Sequence, residues 1–160
     1  EGSGVFTLEK THSKEKIIVK CHCQNESEDE QQFDPEMEDE EQQDQEPFIG
    51  VNFDVMIQKE NVGTLTFACT ASNRLTIRGV SHYPVGVDPE NEAVTGDLYH
   101  GPFFMNLDEK LQDSFMKYLE ERGIDEDFVF FISSHASEKE NAEYIYWMHQ
   151  VAQFVDEESA

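Results

Sequence analysis

From Ile49 to Ile57 apolar residues occupy every second position, and beyond Leu107 they recur at steps of three and four. This change of period constrains the fold more than any other feature of the chain. A strand sends alternate side chains to opposite faces, whereas a helix gathers residues three and four apart onto one stripe. In FIGVNFDVMIQ (48–58), Ile49, Val51, Phe53, Val55 and Ile57 share a face while Gly50, Asn52, Asp54 and Gln58 point away. IIVKCHCQ (17–24) sets Ile17, Val19, Cys21 and Cys23 against Ile18, Lys20, His22 and Gln24. LTFACTA (65–71) groups Leu65, Phe67, Cys69 and Ala71, and RLTIRGV (74–80) follows a turn at Ser72-Asn73. VFTLEK (5–10) is expected to be the first strand and a stretch near 97–104 the last. In all, about seven strands are expected, in an antiparallel meander with one solvated face.

After residue 105 the pattern is helical. Asn106 and Glu109 have the spacing of a capping box, Leu107, Leu111, Phe115, Tyr118, Leu119 and Arg122 follow at helical intervals, and Gly123 is the stop. Asp125 is expected to cap a short second helix carrying Phe128, Phe131 and Ile132. Ser137 and Glu140 form another box, ahead of a third helix over about 138–155. This last segment has two apolar stripes, Ile145, Met148, Ala152 and Val155 beside Tyr144, Trp147, Val151 and Phe154. Together they are wider than packing on one sheet requires, so a second packing partner is expected. Tyr144, Trp147 and Phe154 fit either an intrachain core or a contact between subunits. Strands followed by helices make the fold class α+β, and 160 residues suit a single domain spanning 1–160.

One stretch fits neither period. Residues 25–47 contain twelve carboxylates, Glu26, Glu28, Asp29, Glu30, Asp34, Glu36, Glu38, Asp39, Glu40, Glu41, Asp44 and Glu46, and no Lys or Arg. So polar and self-repelling a segment is expected to be a disordered loop between two strands. It supplies −12 of a net charge of −24, leaving the remainder of the chain at −12 as well. Such a surface repels phosphate backbones, so direct nucleic-acid binding is not expected; it attracts basic proteins and speeds their encounter. The run lacks the glycine and ligand spacing of a calcium loop, which leaves weak, low-affinity divalent-cation binding as its metal chemistry. A divalent-cation buffer, and a nucleic-acid mimic that chaperones basic proteins, are the alternative functions.

Catalytic signatures are not found. The sequence has no G-x-S-x-G and no glycine-rich phosphate loop, and its six histidines fall in no recognisable motif. Cys21-His22-Cys23 suggests zinc, but alternation puts His22 on the face opposite both thiols. Three cysteines, an odd number, suit free thiols in a reducing compartment, and on that ground the Asn25-Glu26-Ser27 sequon is discounted. No apolar run reaches the roughly 18 residues that a membrane span needs. The chain opens on EGSGVFTLEK, without an initiator Met or a targeting leader, so any leader is expected to have been removed. Neither an enzyme nor a cofactor is expected.

Tyr99-x-Gly101-Pro102 followed by LDEKLQDSFMKYLEERGI (107–124) resembles the signature of the mitochondrial glycoprotein family, which includes the mitochondrial acidic matrix proteins. Glu143-Tyr144, Trp147-Met148 and Phe154-Val155 add a second match, and the acidic insertion between early strands is similar too. The resemblance implies a strongly twisted antiparallel sheet flanked by helices and assembled as a doughnut-shaped homotrimer. It also implies import into the mitochondrial matrix with loss of a transit peptide. The function implied is that of a non-enzymatic, multi-ligand binder supporting mitochondrial RNA processing, translation and respiration. Its partners would be basic proteins, RNA-binding or ribosomal. Family members usually pack an N-terminal helix on the last one, whereas these residues open almost directly on a strand, so part of the wide stripe is expected to be uncovered.

Overall fold

The structure, a computed structural model, describes residues 2–23 and 50–157. Five strands, β1 (Val5–His12), β2 (Glu15–His22), β3 (Val51–Lys59), β4 (Gly63–Ala71) and β5 (Leu75–Tyr83), form one sheet in chain order, each antiparallel to the next. Register turns the alternation into a core. Val19, Val55, Phe67 and Val80 lie side by side across four strands, and Cys21, Phe53 and Cys69 form the adjoining row. Phe53, Val55, Phe67 and Cys69 are wholly buried; burying each aromatic stabilises the fold by about 2–3 kcal/mol. Between β4 and β5 the register slips, with Ala68 opposite Gly79 but Cys69 opposite Ile77. Arg78 is thus the extra residue of a β-bulge, which lets Ile77 and Val80 both turn toward the core.

The described residues hold five strands rather than about seven, and 97–104 is not one of them. Gly101 stands at φ +84, and a Cβ there would lie 2.7 Å from the Val80 carbonyl oxygen. Pro102 has no N–H to give a ladder. The segment is instead tied to β5 by the Ser81 hydroxyl, which donates to the His100 carbonyl at 2.8 Å. It runs on into a 3₁₀ turn, Phe104–Asn106, that drives Phe104 into the core beside Phe115. A four-residue helix α1 (Glu92–Thr95), which the pattern did not suggest, interrupts the segment before it.

Helix α2 (Glu109–Glu120) is capped two residues later than the expected box. Asn106 is spent in the 3₁₀ turn and Leu107 is extended, so Asp108 becomes the cap, accepting from the Lys110 N–H at 3.1 Å. Gly123, at φ +81, ends the helix, and the Ile124 N–H turns back to the Leu119 carbonyl at 3.0 Å. Asp125 then caps the Phe128 N–H at 3.0 Å as expected. The second and third helices, however, are one, α3 (Glu126–Glu157), 32 residues long. Neither Gly nor Pro occurs within it, and Ser137 is an exposed mid-helix position rather than a cap. At 1.5 Å per residue α3 is about 48 Å long. Only Val129, Ile132 and Ala136, all in its first half, are buried against the sheet.

Candidate functional site

The acidic run carrying the twelve expected binding carboxylates, Glu26 to Glu46, lies outside the described residues. Its points of attachment are described. β2 ends at His22, Cys23 donates its N–H to the Gly4 carbonyl at 2.7 Å, and the chain re-enters at Gly50 ahead of β3. Cys23 sits within the electrostatic reach of Lys139, Glu140 and Glu143 on α3. Cys23, the last described residue before the run, therefore lies close to the midpoint of the long helix.

From there on α3 is bare on its apolar side. Tyr144, Trp147 and Phe154 are 54%, 58% and 69% exposed, and Ile145, Met148, Val151 and Val155 are exposed beside them. Tyr144 and Trp147 stack, with ring centroids 6.0 Å apart and planes 24° from parallel. The three expected contact residues are thus brought onto one stripe, which Gly2 and Gly4 approach beside Tyr144 and Trp147 and which is otherwise exposed. One turn before Trp147, on the same side of the helix, there is one tether. Glu143 accepts from the Gly2 N–H at 2.6 Å and from Lys139 at 3.0 Å, and both hold its carboxyl below the usual range.

A charged cluster that the sequence pattern did not flag lies under the β1–β2 turn. Glu15 occupies an inward position of β2 and receives both prongs of Arg122, Nε at 2.7 Å and Nη2 at 2.9 Å. Lys59 reaches the same carboxylate at 3.1 Å, and the guanidinium lies 3.3 Å from the centroid of the Tyr118 ring. Arg122 and Glu15 are only 11% and 10% exposed at their side chains. The hydrogen bonds from Arg122, ahead of Lys59, hold the Glu15 carboxyl down at about 2 despite its burial. A signal for this cluster existed: Glu15 stands two positions before the inward Ile17, and Arg122 lies on the same helical stripe as Leu111, Phe115 and Tyr118. The cluster fastens the end of α2 to the hairpin, which is a structural role.

The thiols and His22 follow the alternation. Cys21 and Cys69 face the core, where burial pushes each thiol up to about 12. His22 points to the other face, with Nε2 3.8 Å from Asp54.

Comparison with known proteins places this architecture. The model of the mitochondrial glycoprotein family matches residues 1–155. The mitochondrial acidic protein mam33 of Schizosaccharomyces pombe is 33% identical over 177 aligned residues, 97% of this chain and 65% of that protein. An uncharacterized mitochondrial protein of Arabidopsis thaliana is 31% identical over 104 residues, 64% of this chain and 40% of that one. The chain thus spans less than two thirds of the length of the relatives it matches. Among solved structures, a Leishmania major protein of unknown function, described as a sequence homologue of human p32, superimposes with TM-score 0.74 at 23% identity, covering 96% of this chain and 78% of that one. The Trypanosoma brucei p22 protein superimposes with TM-score 0.72 at 24% identity and the same coverage. The antiparallel sheet with C-terminal helices is therefore the p32-like fold. With the family model matched along nearly its whole length, the chain belongs to the mitochondrial glycoprotein family, a family of mitochondrial acidic proteins.

Proposed function

We propose that the chain is a non-enzymatic acidic scaffold of the mitochondrial matrix that captures basic proteins, RNA-binding or ribosomal, through the carboxylates of 25–47. In doing so it supports mitochondrial RNA processing, translation and respiration. The observation that carries the reading is the charge: −24 overall, half of it in one stretch without a single cation, in a chain of the mitochondrial glycoprotein family. One exposed carboxylate–lysine contact contributes only about 0–1 kcal/mol, so capture needs many at once. A homotrimer would supply them, since three tethered runs raise the effective concentration of carboxylates around a bound cation. Such an assembly carries −72, three times −24, and its subunits must hold together through apolar contacts. The exposed stripe of Tyr144, Trp147 and Phe154 supports that placement.

The test is a pull-down from mitochondrial lysate at low and high salt, with the intact chain and a variant whose twelve carboxylates in 26–46 are Asn or Gln. The reading expects basic RNA-binding proteins on the intact bait, lost from the variant and lost at high salt. Equal retention by both baits overturns it.

A further inference from the structure

We propose that the face of the sheet turned away from α2 and α3 holds a second binding site, a groove for a small amphipathic anion: a carboxylate or phosphate head on an apolar body. The segment from Pro84 to Asn106 crosses this face and leaves a concavity of about 1060 Å³ between itself and the strands, just above the roughly 300–1,000 Å³ of small-molecule pockets. Its floor is kept low. Ala68 pairs with Gly79 across β4 and β5, setting two of the smallest residues side by side. A Cβ at Gly79 would meet no atom within 4 Å, and its φ lies outside the left-handed region. Neither packing nor backbone conformation requires glycine at this position; its effect is open space.

The lining carries Lys20 and Arg78 against Asp54, Glu90 and Glu92, and on its β5 side the charge is Arg78 alone. Lys20 is held by Glu90 at 2.6 Å, and His22 lies 3.8 Å from Asp54. Arg78, which the bulge adds to β5, is exposed and has no carboxylate within 4.0 Å among the described residues. A guanidinium offers a planar fork that matches carboxylate and phosphate oxygens two at a time. The same concavity is walled by Tyr99 and Phe103, 82% and 79% exposed. The head belongs on Arg78 and the body against these rings. The chain's net charge of −24 repels a polyanion far more than a small molecule with one anionic head, which argues against nucleic acid as the occupant. The site is independent of the acidic run and of the scaffold role.

Titration of the full chain with 1-naphthylacetate, decanoate and 1-naphthyl phosphate, followed by backbone amide NMR, tests this. The expected result is saturable shifts at Arg78, Gly79 and Tyr99 for at least one probe, the tightest of the three naming the head and body preferred. Gly79→Leu fills the floor and abolishes the shifts, Arg78→Gln weakens binding about tenfold or more, and Asn141→Ala, at an exposed position of α3, leaves it unchanged. If Gly79→Leu disturbs amides outside the groove, the exposed Arg78→Gln variant decides. Shifts confined to α3, affinity indifferent to Arg78→Gln, or no saturation by any probe at millimolar concentration overturns the proposal.

Discussion

Replacing Glu15 by Gln removes the one carboxylate that, among the described residues, the buried Arg122 guanidinium pairs with, while keeping the shape of the side chain. Two independent routes give its cost. Breaking a buried ion pair from one side costs about 3–5 kcal/mol, because the remaining charge is left without compensation. Linkage gives a similar figure: the carboxyl falls from its ordinary 4.5 to about 2, and at 1.36 kcal/mol per unit that is about 3 kcal/mol. The sign follows from the lowered pKa. Between pH 2 and 4.5 the unfolded chain binds the proton that the folded one refuses. The stabilisation is therefore complete above about pH 5 and lost as pH falls toward 2. Urea unfolding of the wild type and of Glu15→Gln should differ by about 3 kcal/mol at pH 7, and by about 2 kcal/mol less at pH 3. Comparing the pair of proteins at each pH cancels the many other carboxylates. A difference below about 0.5 kcal/mol at pH 7, or one unchanged between the two pH values, would refute the reasoning. Arg122→Lys should recover little, because an ammonium neither forks onto Glu15 nor lies flat on the Tyr118 ring.

Three other outcomes are open to measurement. Gly123→Ala should destabilise by about 1–2 kcal/mol in the same urea assay, since φ +81 is left-handed and the new Cβ would stand 2.7 Å from Lys10 Nζ; Gly123→Asn should cost less. Toward a thiol reagent, half-exposed Cys23 should react first, while Cys21 and Cys69, buried and raised to about 12, should react only as the chain unfolds. The triple change Tyr144→Ser, Trp147→Ser and Phe154→Ser should leave the unfolding free energy within about 1 kcal/mol, because these exposed side chains stabilise no single chain. It should lower the sedimenting mass to that of one chain, and a loss of several kcal/mol would instead mark them as core.

The parts of the fold legible in sequence are those set by one dominant force. Across β2, β3 and β4 burial acts on one face alone, so Ile17, Val19, Phe53, Val55, Phe67 and Cys69 alternate cleanly, and each faces the core. β5 is less legible because the bulge at Arg78 breaks its parity. The stretch 97–104 looks like a strand because its apolar residues suit one, but a close backbone approach at Gly101 and a missing donor at Pro102 decide otherwise. A capping motif marks where a helix can begin, not where it must. Ser137 and Glu140 satisfy the spacing inside a helix that nothing interrupts, and Asn106 loses to Asp108 through a local 3₁₀ turn. The surplus apolar width of the last helix was readable, and the stripe is exposed. The Glu15–Arg122 pair was missed because pattern reading scans inward positions for apolar residues and passes over a carboxylate and a guanidinium more than a hundred residues apart. The Arg78 groove was missed because it depends on a bulge and on a segment folding across the sheet.

The most direct test of the scaffold reading is the dissociation constant of one purified basic ribosomal protein, measured against salt for the intact chain and for the chain neutralised in 26–46. Electrostatic capture predicts that the intact chain binds more weakly at each increase in salt, because the screening length falls from about 10 Å at 0.1 M to about 3 Å at 1 M. The neutralised chain should bind weakly throughout, with a nearly flat dependence. Equal affinities and equal salt slopes for the two chains would contradict the account and move the binding surface to the folded sheet and helices.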